Sequence, residues 1–321
     1  RELDIPVGLI ETAWGGTRIE PWTPTVGFES TPKVAGIAKD VERQQADYQK
    51  ATAAAVERIA AWLPAAKQAA ESGERVPSPP TWPDDPVATR TSPTGLYNGM
   101  VHAIIPFAIR GAIWYQGESN LGEAMMYHEK MKALIAGWRT VWGQGDFPFL
   151  FVQLAPFRYG GSPTRLPEIW EAQTETLNVA NTGMAVITDI GNLGDIHPTN
   201  KQDVGHRLAL WALAKTYGKN DRVYSGPLYK EMAVEGSKIR IRFDHAAGLS
   251  SRDGNPLTWF TIAGSDGKFV EARAEIDGDS VVVSSEEVDN PVAVRFGWHQ
   301  EAEPNLVNGA GLPASPFRTD K

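Results

Sequence analysis

Strand-like and helix-like segments alternate strictly between residues 96 and 217, and this alternation restricts the possible folds more than any other feature. GAIWYQ, FPFLFVQLAP and MAVITDI read as apolar strands, and a segment with helical periodicity follows each of them. FPFLFVQLAP is apolar almost throughout, which is typical of a parallel strand that is covered on both faces. The alternation therefore predicts an α/β fold with a doubly wound parallel sheet.

The segments outside this alternation predict two further parts. Residues 33–71 repeat apolar residues every seventh position, which indicates an amphipathic helix that we expect Pro64 to kink or end. Beyond residue 221, short strands such as KIRIRF and VAVRFGW are separated by Gly, Asp, Asn and Pro, as in a β-sandwich. We expect an α/β domain at 1–30 and 93–220, a helical and proline-rich insertion at 31–92, and an accessory β-sandwich at 221–321.

Composition argues against several kinds of partner. The net charge of −8 argues against nucleic acid, which needs a basic surface. No apolar stretch approaches the roughly 20 residues of a membrane span. Cysteine is absent, which excludes disulfides, thiolate nucleophiles and cysteine-ligated zinc. Histidines and carboxylates show no metal-binding spacing, so we expect no metal.

Three polar segments each follow a predicted strand. WGGTRIE follows an apolar run at Val7–Ile10, QGESN follows the strand at 112–115, and DIGNLGDIHPTNK follows MAVIT. Ligands of open parallel sheets bind at the carboxyl ends of the strands, so we expect the three segments to converge along one edge.

The third segment holds Asp195 and His197, two residues apart. A carboxylate that holds an imidazole in one tautomer makes the imidazole a general base. The alternative is a helix cap, with Thr199 or Asn200 starting the next helix.

The second segment supplies amide side chains at Gln116 and Asn120. An amide aimed at a developing oxyanion lowers a barrier by about 3 kcal/mol. The alternative is that Ser119 or Asn120 caps a helix that begins near Glu123. Ser119 as a nucleophile lacks the G-x-S-x-G turn, and capping is the interpretation we prefer.

The first segment pairs Gly15 with Gly16, whose backbone N–H groups would be accessible to a substrate oxyanion or would simply form a turn. Trp14 and Trp22 flank this pair. They would stack on a sugar ring or pack in the core.

The segments PVGLIETAWGGTRIEPWTP, LYNGMVHAIIPFAIRGAIWYQGESN and DIHPTNKQDVGHRLALWALA closely resemble the sialate O-acetylesterases of the SGNH hydrolase superfamily. NLVNGAGLPASPFRTD is similar to the closing segment of that family. The resemblance implies a flavodoxin-like α/β/α domain with an accessory β-sandwich. It also implies hydrolysis of O-acetyl esters on sugars without a cofactor, in a secreted or periplasmic protein.

By resemblance His197 is the catalytic base and Asp195 its orienting acid. Many members of the superfamily space these two as D-x-x-H, so Asp189 is the alternative acid. Gly15 and Gly16 match the second oxyanion block. Gln116 is the expected donor of the third, with Glu118 and Asn120 as supporting residues.

The nucleophilic serine of the family lies in a GQSN segment that this chain lacks. The chain also begins abruptly, with RELDIPVGLI reading as the end of a helix that leads into a strand. We expect the serine to come from an N-terminal fragment that binds this chain, and we expect the chain alone not to turn over an ester.

The substrate class stays open between sialic acid and acetylated xylan or other glycans. Arg18 would bind the carboxylate of a sialic acid or would pair with Glu20. The alternative function is a non-catalytic glycan-binding protein on a hydrolase scaffold.

Overall fold

The structure is a computed structural model that describes residues 2–320. The chain forms two compact units. Unit 1 comprises Arg1–Glu11, Ala108–Met131 and Gln144–Lys321, and unit 2 comprises Thr12–Phe107 and Lys132–Gly143. These units are not divided where we expected boundaries, at residues 31, 93 and 221, and the three-part division stays a prediction.

The regular elements of residues 2–320 are numbered in chain order. The α-helices are α1 (Thr25–Glu29), α2 (Ala35–Ser72), α3 (Met125–Trp142), α4 (Arg165–Glu175) and α5 (Lys201–Trp211). The strands are β1 (Ala112–Trp114), β2 (Phe149–Val152), β3 (Thr182–Ala185), β4 (Leu228–Glu235), β5 (Lys238–Asp244), β6 (Ser250–Ser251), β7 (Phe260–Ala263), β8 (Val270–Glu271), β9 (Arg273–Asp277), β10 (Ser280–Ser284), β11 (Ala293–Phe296), β12 (Leu306–Val307) and β13 (Phe317–Arg318). Within this range no helix combines the length and the hydrophobicity needed to cross a membrane.

Unit 1 contains a three-stranded parallel sheet in the order β1-β2-β3. One face of this sheet packs against α5, whose Val204, Leu208 and Trp211 share a core with Leu150 and Val152 of β2. Helices connect the strands in sequence, as the alternating pattern predicts. The predicted α/β class with a parallel sheet is therefore confirmed.

The carboxyl end of β2 is fixed by α4. Gln173 donates from Nε2 to the carbonyl oxygen of Val152 at 3.0 Å and accepts from the N–H of Leu154 at 3.0 Å. The indole of Trp170 donates to the carbonyl oxygen of Leu154 at 2.7 Å. These buried bonds satisfy backbone groups that have left the sheet ladder, so the chain leaves β2 in a defined direction.

The predicted strand at Val7–Ile10 is wrong. These residues have no regular structure, and Leu9 is 87% exposed. An apolar run becomes a strand only where a neighbouring strand accepts its backbone hydrogen bonds, and no strand of residues 2–320 pairs with this run.

The predicted β-sandwich is confirmed. The antiparallel sheets β4-β5-β10-β9 and β13-β11-β7-β8 enclose one hydrophobic core. Phe296 of β11 lies at its centre, with ring centroids 4.5 Å from Phe260 and 5.7 Å from Phe317. Inward-facing residues alternate with exposed ones along β5, as a half-buried strand requires.

Unit 2 is built around α2, which continues through Pro64 to Ser72. The expectation that Pro64 would end the helix is therefore wrong. The end comes instead at Gly73, where φ of +75° lets its N–H and that of Glu74 bond the carbonyl oxygen of Ala69. The proline-rich segment then turns back along the helix, since the indole of Trp62 donates to the carbonyl oxygen of Pro77 at 3.0 Å.

The sandwich core yields a test of stability. We expect Phe296→Ala to lower the free energy of unfolding by about 3–5 kcal/mol, because the side chain is fully buried and its removal leaves a cavity. Val234→Ala is the control, since Val234 is 54% exposed on β4 and we expect a change within about 0.5 kcal/mol. Urea unfolding of both variants measures the difference, and equal losses would contradict this assignment of the core.

Candidate active site

The polar segment after β1 folds into a tight turn. Gly117 has φ of +154°, and Glu118–Asn120 form a short 3-10 helix. A Cβ atom at Gly117 would lie 3.0 Å from the Leu154 side chain and 3.3 Å from the Tyr127 hydroxyl. Glycine is therefore required both by the backbone conformation and by the close packing at this position.

Buried hydrogen bonds orient the Gln116 side chain. Its Nε2 donates to Oδ1 of Asn120 at 2.8 Å, and the hydroxyl of Tyr127 lies 3.0 Å from its Oε1 and 2.8 Å from its carbonyl oxygen. Asn120 in turn donates to Glu123 at 3.2 Å, and Glu123 is held by Lys130 at 2.7 Å. The side chain of Asn120 thus belongs to the network that orients Gln116.

Glu118 interacts electrostatically with several titratable side chains around the segment. Burial raises the pKa of its carboxyl, while the backbone N–H groups at positions 117 and 118 and the charges of His197 and Lys201 lower it. Burial also raises the pKa of Tyr115 and of Tyr159, and the charge of Glu118 raises both further. Lys201 Nζ lies 4.7 Å from the centroid of the Tyr115 ring. The segments that follow β1 and β3 therefore meet at the carboxyl edge of the sheet, as the sequence predicts for these two.

His197 and Asp195 lie side by side in the segment after β3. Nδ1 of His197 is 3.6 Å from Oδ1 of Asp195, and the imidazole is 85% exposed. The same oxygen accepts the backbone N–H of His197 at 2.9 Å. The carboxylate is thus anchored by the backbone and lies within electrostatic reach of the ring, beyond hydrogen-bond distance.

Asp189, the alternative acid, has a different role in the structure. Its two oxygens bind Nη1 and Nη2 of Arg207 at 2.6 and 2.7 Å, and Arg252 lies 3.7 Å away. Arg207 also donates to the carbonyl oxygen of Val186 at 2.6 Å, so this buried pair ties α5 to the chain after β3. Within residues 2–320 no hydrogen bond or ion pair joins Asp189 to His197. The assignment of Asp189 as the acid is therefore not supported.

The capping interpretation of this segment is also observed. Asn200 is the N-cap of α5, and its Oδ1 accepts the N–H of Asp203 at 3.1 Å. One short segment thus presents the imidazole of His197 and starts the helix.

The candidates around the glycine pair lie in unit 2. Gly15 and Gly16 form an exposed turn with φ of +71° at Gly16, and no heavy atom beyond the adjoining residues lies within 4 Å of a Cβ built at either position. Trp14 is 51% exposed. Trp22, in contrast, is 3% exposed, and its indole donates to Oγ1 of Thr17 at 2.9 Å. Trp22 therefore packs in the core, and its prediction as a sugar-stacking residue is corrected.

Arg18 pairs with Glu20. Nη2 of Arg18 lies 3.0 Å from Oε1 of Glu20, and Nε lies 3.3 Å from the same oxygen. The carboxylate that Arg18 binds in this structure is thus that of Glu20.

Three residues of the site were not predicted from the sequence: Tyr115, Tyr159 and Lys201. Tyr115 directly precedes Gln116, and Tyr159 follows β2 at the same edge of the sheet. The rule that ligands bind beyond the carboxyl ends of parallel strands would have pointed to both. For Lys201 no pattern was available, since a lysine in the first turn of a helix is usually exposed to solvent.

The raised pKa of Glu118 predicts a pH dependence of stability. A folded carboxyl that binds its proton more tightly than the unfolded one stabilises the protein at low pH, and this contribution is lost as pH rises through the folded pKa. We expect Glu118→Gln to gain stability relative to the unmodified protein between about pH 4 and pH 7. Urea unfolding at several pH values measures this, with the exposed Glu271→Gln as control. A difference that stays constant or falls with pH would contradict the prediction.

The different surroundings of Asp189 and Asp195 predict different losses of stability when each is replaced by alanine. We expect Asp189→Ala to lower the free energy of unfolding by about 3–5 kcal/mol, because it leaves the buried Arg207 guanidinium without its partner. Asp195→Ala removes a carboxylate that is 54% exposed, and we expect a loss below about 1 kcal/mol. The measurement is urea unfolding at pH 7. A larger loss for Asp195→Ala would contradict the assignment of Asp189 to the structural ion pair with Arg207.

Comparison with known proteins finds that the chain is similar to carbohydrate esterases. Residues 70–214 match the family described as "carbohydrate esterase, sialic acid-specific acetylesterase". Sialate O-acetylesterase of Rattus norvegicus is 30% identical over 344 aligned residues, covering 98% of this chain and 60% of the relative. The enzyme of Homo sapiens is 28% identical over 343 residues, covering 98% of this chain and 57% of the relative. A carbohydrate acetylesterase from Xanthomonas citri of known crystal structure superposes with a TM-score of 0.70 at 47% identity, over 72% of this chain and 55% of that one. The chain thus spans about 60% of the length of the rat relative.

Proposed function

We propose that this chain, which is related to the sialate O-acetylesterases, forms most of a carbohydrate esterase that removes acetyl groups from sugars. The observation that carries the proposal is the meeting of the Gln116–Glu118 segment with His197 and Asp195 at the carboxyl edge of the sheet. An exposed imidazole beside a carboxylate has the accessibility that a general base needs. The identity of 47% with a carbohydrate acetylesterase supports the same chemistry.

The proposed reaction is acyl transfer through a serine. His197 accepts the proton of the serine hydroxyl as its oxygen attacks the acetyl carbonyl, and Asp195 stabilises the imidazolium that forms. The sugar oxygen leaves with that proton, and an acetyl-serine results. His197 then deprotonates water, which attacks the acetyl-serine to release acetate and regenerate the serine.

The proposed oxyanion donor is the Gln116 amide, because its hydrogen bonds to Asn120 and Tyr127 fix its orientation before a substrate binds. Preorganised donors contribute more than mobile ones, since no reorganisation is needed as charge develops. The backbone N–H groups of Gly15 and Gly16 stay a prediction from the sequence.

The proposed nucleophile comes from a segment outside residues 1–321. Among residues 2–320 no hydroxyl is hydrogen-bonded to the His197 ring. Ser119 lies in the short 3-10 helix after Gly117. The same observation favours the alternative function, a glycan-binding protein without catalysis, and the assay below distinguishes the two.

Neither sialic acid nor a neutral glycan is favoured as substrate. Arg18 is engaged by Glu20, so recognition of a sialic acid carboxylate by Arg18 is not part of the proposal.

An ester assay on the 321-residue chain tests the origin of the nucleophile. With 4-nitrophenyl acetate we expect its rate to equal that of His197→Ala, since the base has no serine to activate. His206→Ala, which removes an exposed histidine of α5, is the matched control for surface effects.

Turnover faster than that of His197→Ala by about 10²-fold or more would show that the chain holds its own nucleophile. Ser119→Ala would then identify or exclude that serine. For the esterase proposal itself, we expect the protein extended at its N-terminus by a GQSN-bearing segment to hydrolyse the ester and to lose about 10²–10⁴-fold in rate on His197→Ala. An inactive extended protein that still binds glycans would support the alternative function.

A further inference from the structure

Trp259 has an unfavourable backbone conformation at the start of β7. Its φ is +64°, in the left-handed region that bulky residues rarely adopt, and its side chain is 40% exposed. Neighbouring bonds hold this conformation. The carbonyl oxygen of Trp259 accepts the N–H of Gly297 at 2.9 Å, and the N–H of Thr258 donates to Oδ1 of Asn305 at 3.0 Å. The strained backbone of Trp259 therefore holds a large aromatic ring at the surface, where it is not part of the hydrophobic core.

His299 extends this exposed ring. The two rings are nearly parallel, with an interplanar angle of 25° and centroids 5.7 Å apart. Nδ1 of His299 accepts the N–H of Glu301 at 3.1 Å, which fixes the orientation of the imidazole and leaves its proton on Nε2. Trp259 and His299 together are termed the aromatic platform.

The aromatic platform is joined to the loop that follows β2. Gln300 clamps this loop, because its carbonyl oxygen accepts the N–H of Phe157 at 3.0 Å and its N–H donates to the carbonyl oxygen of Pro163 at 2.8 Å. Arg158 of the loop pairs with Glu301 at 3.0 Å. Arg158 and Glu301 thus place charged hydrogen-bonding groups on the segments that adjoin the aromatic platform.

The same loop reaches the candidate active site. Tyr159 packs edge-on against Phe157 at 4.9 Å, and Tyr159 also interacts electrostatically with Glu118. Glu118 in turn interacts with His197. Ring packing and hydrogen bonds join the aromatic platform to Tyr159, and electrostatic interactions within unit 1 join Tyr159 to Glu118 and Glu118 to His197.

We propose that the aromatic platform is a subsite for a pyranose ring of the glycan whose acetylated residue lies at His197. The apolar C–H face of a pyranose would stack on the Trp259 indole, while Nε2 of His299, Arg158 and Glu301 bind its hydroxyl groups. A single exposed aromatic residue needs no explanation in general. Trp259 needs one, because its backbone is strained and its ring stays partly exposed outside the hydrophobic core. The proposal rests on the function proposed above, in that it names the residues that hold a neutral sugar of the same substrate.

The test measures binding of an unacetylated oligosaccharide, xylotetraose, to the 321-residue chain by isothermal titration calorimetry. This ligand has no ester, so the outcome does not depend on catalysis. We expect Trp259→Ala to weaken binding at least tenfold, Trp259→Phe to retain part of the affinity, and His299→Ala to lose severalfold. Trp82→Ala removes a tryptophan that is 52% exposed in the proline-rich segment, and we expect its binding to equal that of the unmodified chain.

Trp259→Gly distinguishes a binding role from a packing role. Glycine adopts positive φ without strain, so we expect this variant to unfold at a higher urea concentration while its binding is lost. A lower urea midpoint would make Trp259 a packing residue and overturn the proposal. Unchanged binding in Trp259→Ala, or no binding of the oligosaccharide by the unmodified chain, would overturn it as well. Loss of binding in Trp259→Ala, combined with an inactive N-terminally extended protein, would overturn only the esterase function.

Discussion

Burial of β2 on both faces is the constraint on which the candidate site depends. All four residues of Phe149–Val152 are buried, and parallel strands flank β2 on either side. Parallel strands end at the same edge of a sheet, so the segments that leave β1 and β3 meet beyond their carboxyl ends. Glu118 and His197 are far apart in the chain, and it is the direction of these strands that brings their charges together. The chemistry of the site is in this sense a consequence of strand topology.

Periodic segments of the fold were predictable from the sequence because burial imposes their pattern directly. The last helix of the α/β region was expected at about 200–217, and α5 with the turn that continues it spans Lys201–Thr216. The resemblance to the sialate O-acetylesterases is likewise confirmed by the matches with known proteins. Val7–Ile10 was not predictable, since strand formation depends on a pairing partner that local sequence does not reveal. Pro64 removes one helical hydrogen bond, and the long helix around it tolerates that loss.

The sequence predicted which segments form the site, but it did not predict which side chains pair with residues of other segments. The spacing of Asp195 and His197 in the sequence allowed the two side chains to approach, and the structure places them 3.6 Å apart. The bond between Asp189 and Arg207 joins different elements, so no local pattern indicates it. Trp14 and Trp22 flank the same glycine pair, yet one is exposed and the other is in the core. Residue type and local spacing do not decide between stacking and packing, because burial depends on what the rest of the chain places over each ring.

Charge balance around the imidazole follows from these placements. A positive charge on His197 and the ammonium group of Lys201, at the start of α5, both favour the ionised form of Glu118. Burial disfavours the ionised form of Glu118, whereas the backbone N–H groups beneath the carboxyl favour it. Asp195 acts from the exposed side, where solvent weakens its charge. Two opposing influences therefore act on the Glu118 carboxyl: burial raises its pKa, the backbone N–H groups and the cationic neighbours lower it, and burial is the larger of the two.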